Sequence, residues 1–163
     1  MIEVRQAAPG EAGAVAAILH EVSAWLEAAG TPMWVGNELA ADQIERDVES
    51  GAVFVAQLDD AIIGTIRFQL DDREFWPDLS DDHQSAFVHR LAVRRAYAGR
   101  GVSRALLEWS AMHARQLGRR YLRLDCDAER HSLRRLYETF GFRYHSSRLV
   151  GPYYVARYEL PLT

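Results

Sequence analysis

Apolar positions change period in the middle of the chain, and most of the remaining elements can be placed from that point. Phe87, His89, Leu91 and Val93 interleave with Val88, Arg90 and Ala92, so both faces of the stretch are mostly apolar, as in an interior strand. From Val102 the spacing turns helical: Val102, Ala105, Leu106, Trp109 and Met112 share one face. Upstream, Ile2 and Val4 predict a strand over Met1–Gln6. Pro9-Gly10-Glu11 then opens a helix whose stripe is Val15, Ile18, Leu19, Val22, Trp25, Leu26 and Ala29, stopped by Gly30. A loop over Thr31–Asn37 leads to a short helix carrying Leu39, Ile44 and Val48, which ends at Ser50-Gly51. Ala52–Leu58 and Ala61–Leu70 read as a hairpin turned at Asp59-Asp60. Downstream, Tyr121–Asp125 is a strand and Ala128–Phe140 a helix with Leu133, Leu136 and Phe140 on its stripe, stopped by Gly141. Phe142–Ser147 and Tyr153–Leu160 form a last strand pair around Gly151-Pro152. This order predicts an α/β fold, a central mixed sheet with helices on both faces, whose ligands bind where strands diverge.

Composition narrows the class. A chain of 163 residues, 48% of them hydrophobic, fits one domain, residues 1–163, with a full core and no metal or disulfide support. The one cysteine, Cys126, has no internal partner and suits a reducing compartment. No apolar run approaches the length of a membrane span and no leader pattern stands at the start, so the expectation is a cytoplasmic protein without a membrane partner. The net charge of −4 conceals an asymmetry: residues 1–89 hold 17 Asp and Glu against four Arg, and residues 90–163 hold 15 Arg against six. The basic half suits a polyanionic ligand and the acidic half a cationic one, unless the two neutralise each other inside the fold. With an acidic total and no aromatic reading motif, nucleic acid is not an expected partner.

Two stretches carry candidate chemistry. Ala98-Gly99-Arg100-Gly101-Val102-Ser103 is a strand-to-helix turn with little side-chain bulk apart from Arg100. Backbone N–H groups at a helix start lack partners and carry the positive end of the helix dipole, so small residues there let a phosphate approach. The chain has no lysine, which excludes a Walker loop, and Arg104 stands where a dinucleotide fingerprint needs its third glycine. The second stretch, residues 71–83, is acidic and aromatic. It reads either as a solvated loop with Phe75 and Trp76 tucked inward or as a mouth for an ammonium group, formed by Asp71, Asp72, Glu74 and Asp78 with Trp76 as an aromatic face.

His89-Arg-Leu-Ala-Val93, Ala98-Gly-Arg-Gly-Val-Ser103 and Leu136-Tyr-Glu-Thr-Phe-Gly-Phe142 together resemble the GCN5-related N-acetyltransferases, and the order of elements agrees over essentially the whole chain. The resemblance implies acetyl-CoA as cofactor. Its pyrophosphate would lie on the backbone of Ala98, Gly99, Arg100, Gly101, Val102, Ser103 and Arg104, and its thioester arm along Leu91, Ala92 and Val93. It also implies direct acetyl transfer to a primary amine in a ternary complex, with Tyr137 as general acid toward the thiolate. The same place as His89 is a histidine in the arylalkylamine acetyltransferases, where it is assigned to proton removal. His89 stands four residues before Val93 and hence, in a regular strand, on its face, with Glu74, Asp72 or a water chain as alternatives for that role. Ala98 stands where the family prefers Gln or Arg, Ser103 where it prefers Gly or Ala, and Arg130 where an asparagine often contacts the cofactor. Trp25, Trp34, Asp72, Glu74 and Trp76 are the expected substrate-binding residues and no metal is expected. A small-molecule amine is the expected acceptor, and the tyrosine-rich last strands leave room for a homodimer. The alternatives are acetylation of a protein N-terminus or lysine, and a sensor domain that binds acyl-CoA without turnover.

Overall fold

The structure, a computed structural model, describes residues 1–34 and 36–162; of the loop expected over Thr31–Asn37, Val35 lies outside the described residues. The described residues form seven strands and four α-helices: β1 Glu3–Gln6, α1 Ala12–Ala28, α2 Ala41–Glu49, β2 Val53–Leu58, β3 Ala61–Gln69, β4 Ser85–Val93, α3 Val102–Gln116, β5 Tyr121–Asp127, α4 His131–Phe140, β6 Arg143–Val150 and β7 Tyr153–Pro161. The sheet is mixed, with strand order β1-β2-β3-β4-β5-β7-β6. β4 and β5 run parallel, whereas β1 and β2, β2 and β3, β5 and β7, and β6 and β7 pair antiparallel.

The chain gathers into two compact units, residues 1–67 with 90–109 and residues 68–89 with 110–163. In the first, the α1 stripe buries Val15, Ile18, Leu19, Val22 and Leu26 against Ile44 and Val48 of α2 and Val53 and Val55 of β2. Leu39 joins this core from the chain ahead of α2 rather than from the helix expected to include it. The hairpin turns as expected, with Leu58 opposite Ala61 and Asp59 left-handed at φ 53°. Gly64 of β3 lies under the first turns of α3. A Cβ built there would meet Val102 Cγ1 at 2.8 Å and Leu106 Cδ1 at 3.2 Å, so only glycine lets helix and strand approach this closely.

In the second unit the core forms around Trp76, Phe87, Leu122, Leu124 and Tyr158. Two expectations change here. The helix expected from Ala128 begins at His131, because Asp127 turns the chain first: its Oδ1 accepts the Glu129 N–H (2.9 Å) and its carbonyl the Arg130 N–H (3.1 Å). Along α4, Leu133 and Phe140 are half-buried as expected, but Leu136 is exposed and Tyr137 takes its place in the core.

β4 carries the largest departure. Arg90 adopts φ 53°, the left-handed region that residues other than glycine rarely enter. Its guanidinium is held by Asp47 (2.9 Å) and the Glu38 carbonyl (2.8 Å), which offsets the strain. The alternation that would put His89 and Val93 on one face is therefore interrupted between them.

Candidate functional site

In the first unit, the turn before α3 presents bare backbone. Gly99 and Gly101 take φ 77° and 82°, conformations that glycine adopts without a Cβ penalty, and a Cβ built at either would point into open space. The Ala105 N–H donates to the Gly101 carbonyl at 3.0 Å, so the first turn of α3 follows directly on the two glycines. Ala98, Gly99, Arg100, Gly101 and Arg104 are exposed, Ser103 is half-buried, and Val102 anchors the turn at 2% exposure. Arg100 rests over the Tyr97 ring, and Arg104 pairs with Glu108 at 2.8 Å one helical turn on. Leu91 and Val93 are half-buried and Ala92 is buried. Of the expected substrate residues, Trp34 packs against the core and Trp25 is 44% exposed under the Arg95 guanidinium, 3.6 Å from its ring.

In the second unit, His89 stands between two carboxylates. Its Nε2 lies 2.7 Å from Asp72 Oδ2 and its Nδ1 3.6 Å from Asp125 Oδ2, and the side chain is 10% exposed. Burial works against the charge of Asp72. The hydrogen bond and field of His89, with the N–H groups of Phe75 (3.0 Å) and Glu74 (3.2 Å), outweigh it and hold the carboxyl below its ordinary range. Asp125 goes the other way: burial pushes it up to about 6, with Asp72 and Glu74 adding to the rise and His89 and Arg157 opposing it. Asp125 Oδ2 is buried without a hydrogen-bond partner. One atom each from Asp72, His89 and Asp125 lie within 4.8 Å of one another, a ligand-type cluster. The two ring nitrogens address different carboxylates, an arrangement a proton satisfies and a single cation, taking one ring nitrogen, would have to break.

Tyr137 is 6% exposed and packs edge-on against Phe142. Burial, with Cys126 and Asp125 nearby, drives its pKa well above the ordinary phenol value, and Arg130, half-buried at the start of α4, opposes this. Cys126 is pushed up to about 12, mainly by burial and then by Asp125.

The acidic stretch is largely neutralised from within. Arg157 of β7 grips Asp78 with both terminal nitrogens (2.7 and 3.2 Å), donates to the Phe75 carbonyl and lies 4.4 Å over the Trp76 ring. Trp76 is fully buried, so the open aromatic face expected of it is covered by arginine. Arg73 pairs with Asp81 and Arg123 with Asp82. Glu74 remains exposed, and its field acts on Asp125. Sequence reasoning missed Asp125 and Arg157. The signal available was Arg123 and Asp125 alternating with Leu122, Leu124 and Cys126, a polar face in the interior of a strand.

Comparison with known proteins adds a family pattern. The model of the family described as "Acetyltransferase (GNAT) family" matches residues 19–142. The "Uncharacterized N-acetyltransferase YesJ" of Bacillus subtilis (strain 168) is 28% identical over 148 residues, covering 86% of this chain and 81% of that protein. A GNAT-family acetyltransferase from Listeria monocytogenes 4b F2365 superposes with a TM-score of 0.80 at 24% identity, over 98% of this chain and 95% of that one. yncA of Salmonella typhimurium, described as a putative acetyltransferase with its cofactor acetyl-CoA, superposes with a TM-score of 0.74 at 18% identity over 100% and 95%. At these identities the structural likeness speaks for the fold.

Proposed function

The chain belongs to the acetyltransferase (GNAT) family, and from that premise we propose that it is one acetyl-CoA-dependent N-acetyltransferase domain acting on a small primary amine. The observation that carries the reading is the turn at Gly99 and Gly101, where two left-handed glycines with open space at their Cβ positions lead into the start of an α-helix. That surface fits a pyrophosphate, because fixed N–H dipoles meet negative charge and no side chain need move aside. Arg100 adds positive charge beside it. Leu91, Ala92 and Val93 supply main-chain groups for the thioester arm, and the Val93 N–H suits the negative charge that develops on the thioester oxygen during attack.

Acetyl transfer then proceeds by direct attack. The amine nitrogen bonds to the thioester carbon, the C–S bond breaks, and the thiolate takes a proton from Tyr137. The raised pKa of Tyr137 keeps that proton available across the neutral range, at the cost of driving force. His89 takes the proton that the ammonium form of the acceptor must lose. Cys126 supports this route over a covalent acetyl-enzyme, since a thiol with a pKa about 12 is almost wholly protonated at neutral pH. The exposed Glu74 and the carboxylates around His89 favour a cationic acceptor over an anionic one.

Calorimetry with coenzyme A, followed by thiol release from acetyl-CoA across a panel of primary amines, tests the reading. Binding together with amine-dependent release is the expected result. No heat with millimolar coenzyme A overturns the cofactor assignment. Binding without release for any small amine overturns the acceptor assignment.

A further inference from the structure

The proposed acetyl transfer, on which this inference rests, needs an acceptor for the proton of the substrate ammonium, and His89 is not alone in that place. Asp72 N–H donates to Ser80 Oγ at 2.8 Å, and its carboxylate accepts the Glu74 and Phe75 N–H groups as well as His89 Nε2. A carboxylate with that many donors stays ionised and fixes Nε2 as the ring nitrogen that carries hydrogen. Nδ1 is then the nitrogen left to gain or lose a proton. It faces Asp125 Oδ2 at 3.6 Å, an oxygen in a side chain 10% exposed that accepts no other hydrogen bond. A buried ionised oxygen without a donor is costly, and one proton between Nδ1 and Oδ2 removes the cost whichever atom bears it.

We propose that His89 and Asp125 form a pair that takes up one exchangeable proton between Nδ1 and Oδ2, with Asp125 acting as the residue that positions and tunes His89 for proton removal. The balance is simple. An N–H bond of the ammonium breaks, its electron pair stays on nitrogen, and the proton passes to the pair, whose charge rises from −1 to 0. After acetyl transfer the pair returns the proton to water. The charges facing Asp125 are consistent with this: His89 from β4, Asp72 and Glu74 from the segment ahead of β4, and Arg157 from β7. Its field in turn reaches Cys126 beside it on β5 and Tyr137 of α4.

The test is an NMR titration of the wild-type protein following the His89 ring nitrogens and the Asp125 carboxyl carbon, with the pH profile of kcat/KM measured on wild type, Asp125→Asn and Asp125→Glu. In wild type the two residues are expected to share their titration midpoints, as coupled sites do. In Asp125→Asn the imidazole loses a stabilising negative neighbour, so its midpoint and the acidic limb of kcat/KM are expected to move together to lower pH by about one unit. Asp125→Glu should bring both back toward wild type. Independent midpoints in wild type, with Asp125 in the ordinary carboxylate range, overturn the pair even if Asp125→Asn fails to fold. An Asp125→Asn protein whose acidic limb does not move overturns it as well. Because the NMR readout needs no turnover, an absence of acetyl transfer defeats the functional reading without deciding this one.

Discussion

Tyr137 is a hydroxyl on an otherwise apolar packing surface, held against Phe142 and Tyr158. Replacing it by Phe keeps the ring contacts and removes only the hydroxyl. Tyr137→Phe is therefore expected to lower kcat by about 10²-fold or more while the KM for acetyl-CoA stays within about twofold. An unchanged kcat takes Tyr137 out of the chemistry. Cys126 gives the complementary case, a buried thiol held protonated. Cys126→Ala is expected to retain turnover, and mass spectrometry of wild type mixed with acetyl-CoA is expected to show no acetylated protein. Capture of an acetyl group on Cys126 would instead favour a two-step route. At this scale the residue types of the candidate site were legible as expectations: His89, Tyr137, Asp72 and Glu74 were all in view. Their partners were not, because a carboxylate such as Asp78 meets its arginine, Arg157, only through packing of segments 79 residues apart.

The element that concentrates the fold's constraints is the start of α3. Gly64→Ala would push a Cβ into Val102 and Leu106 and is expected to destabilise the protein by about 1–3 kcal/mol, read from the denaturation midpoint. No loss of stability would mean that β3 and α3 can separate at little cost. Gly101→Ala tests the other end of the same turn. Its φ of 82° costs an L-residue about 1–2 kcal/mol, so the turn should relax and affinity for coenzyme A fall, measured by calorimetry. Equal affinity would locate the pyrophosphate elsewhere. The period change from strand to helix was readable because both elements are regular. The left-handed Arg90 inside β4 was not, because the residues that hold it, Asp47 and the Glu38 carbonyl, lie more than forty positions away.

For the whole molecule, part of the opposed charge of the two chain halves is met by internal pairs: Arg90 with Asp47, Arg94 with Glu21, Arg123 with Asp82 and Arg157 with Asp78. No helix among the described residues is long and apolar enough to cross a membrane. The two buried carboxyls pull the pH dependence of stability in opposite directions. Asp72, depressed in the folded state, contributes stability that is present above its unfolded pKa and is lost as pH falls through its folded one. Asp125, raised to about 6, does the reverse: its contribution is full below an unfolded value near 4 and is lost as pH rises through about 6. The stability difference between Asp125→Asn and wild type is therefore expected to grow in favour of the variant between pH 4 and 7, by up to about 3 kcal/mol. Thermal or chemical denaturation at several pH values measures it, and a difference that stays flat with pH would mean that Asp125 is not desolvated.

What the amino-acid order alone determined was everything carried by local periodicity and backbone preference: the succession of strands and helices, the hairpin at Asp59 and the glycine turn before α3, with the family entering as a resemblance of three short motifs. Such signals are written within a dozen neighbouring residues, so no knowledge of packing is needed to read them. Only the folded chain decided that Trp76 is sealed under Arg157, that Tyr137 rather than Leu136 faces inward, and that Asp125 comes to rest against His89. Those outcomes depend on which distant side chains share one small buried volume, where desolvation and charge pairing act, and a period of two or of 3.6 residues carries no record of that.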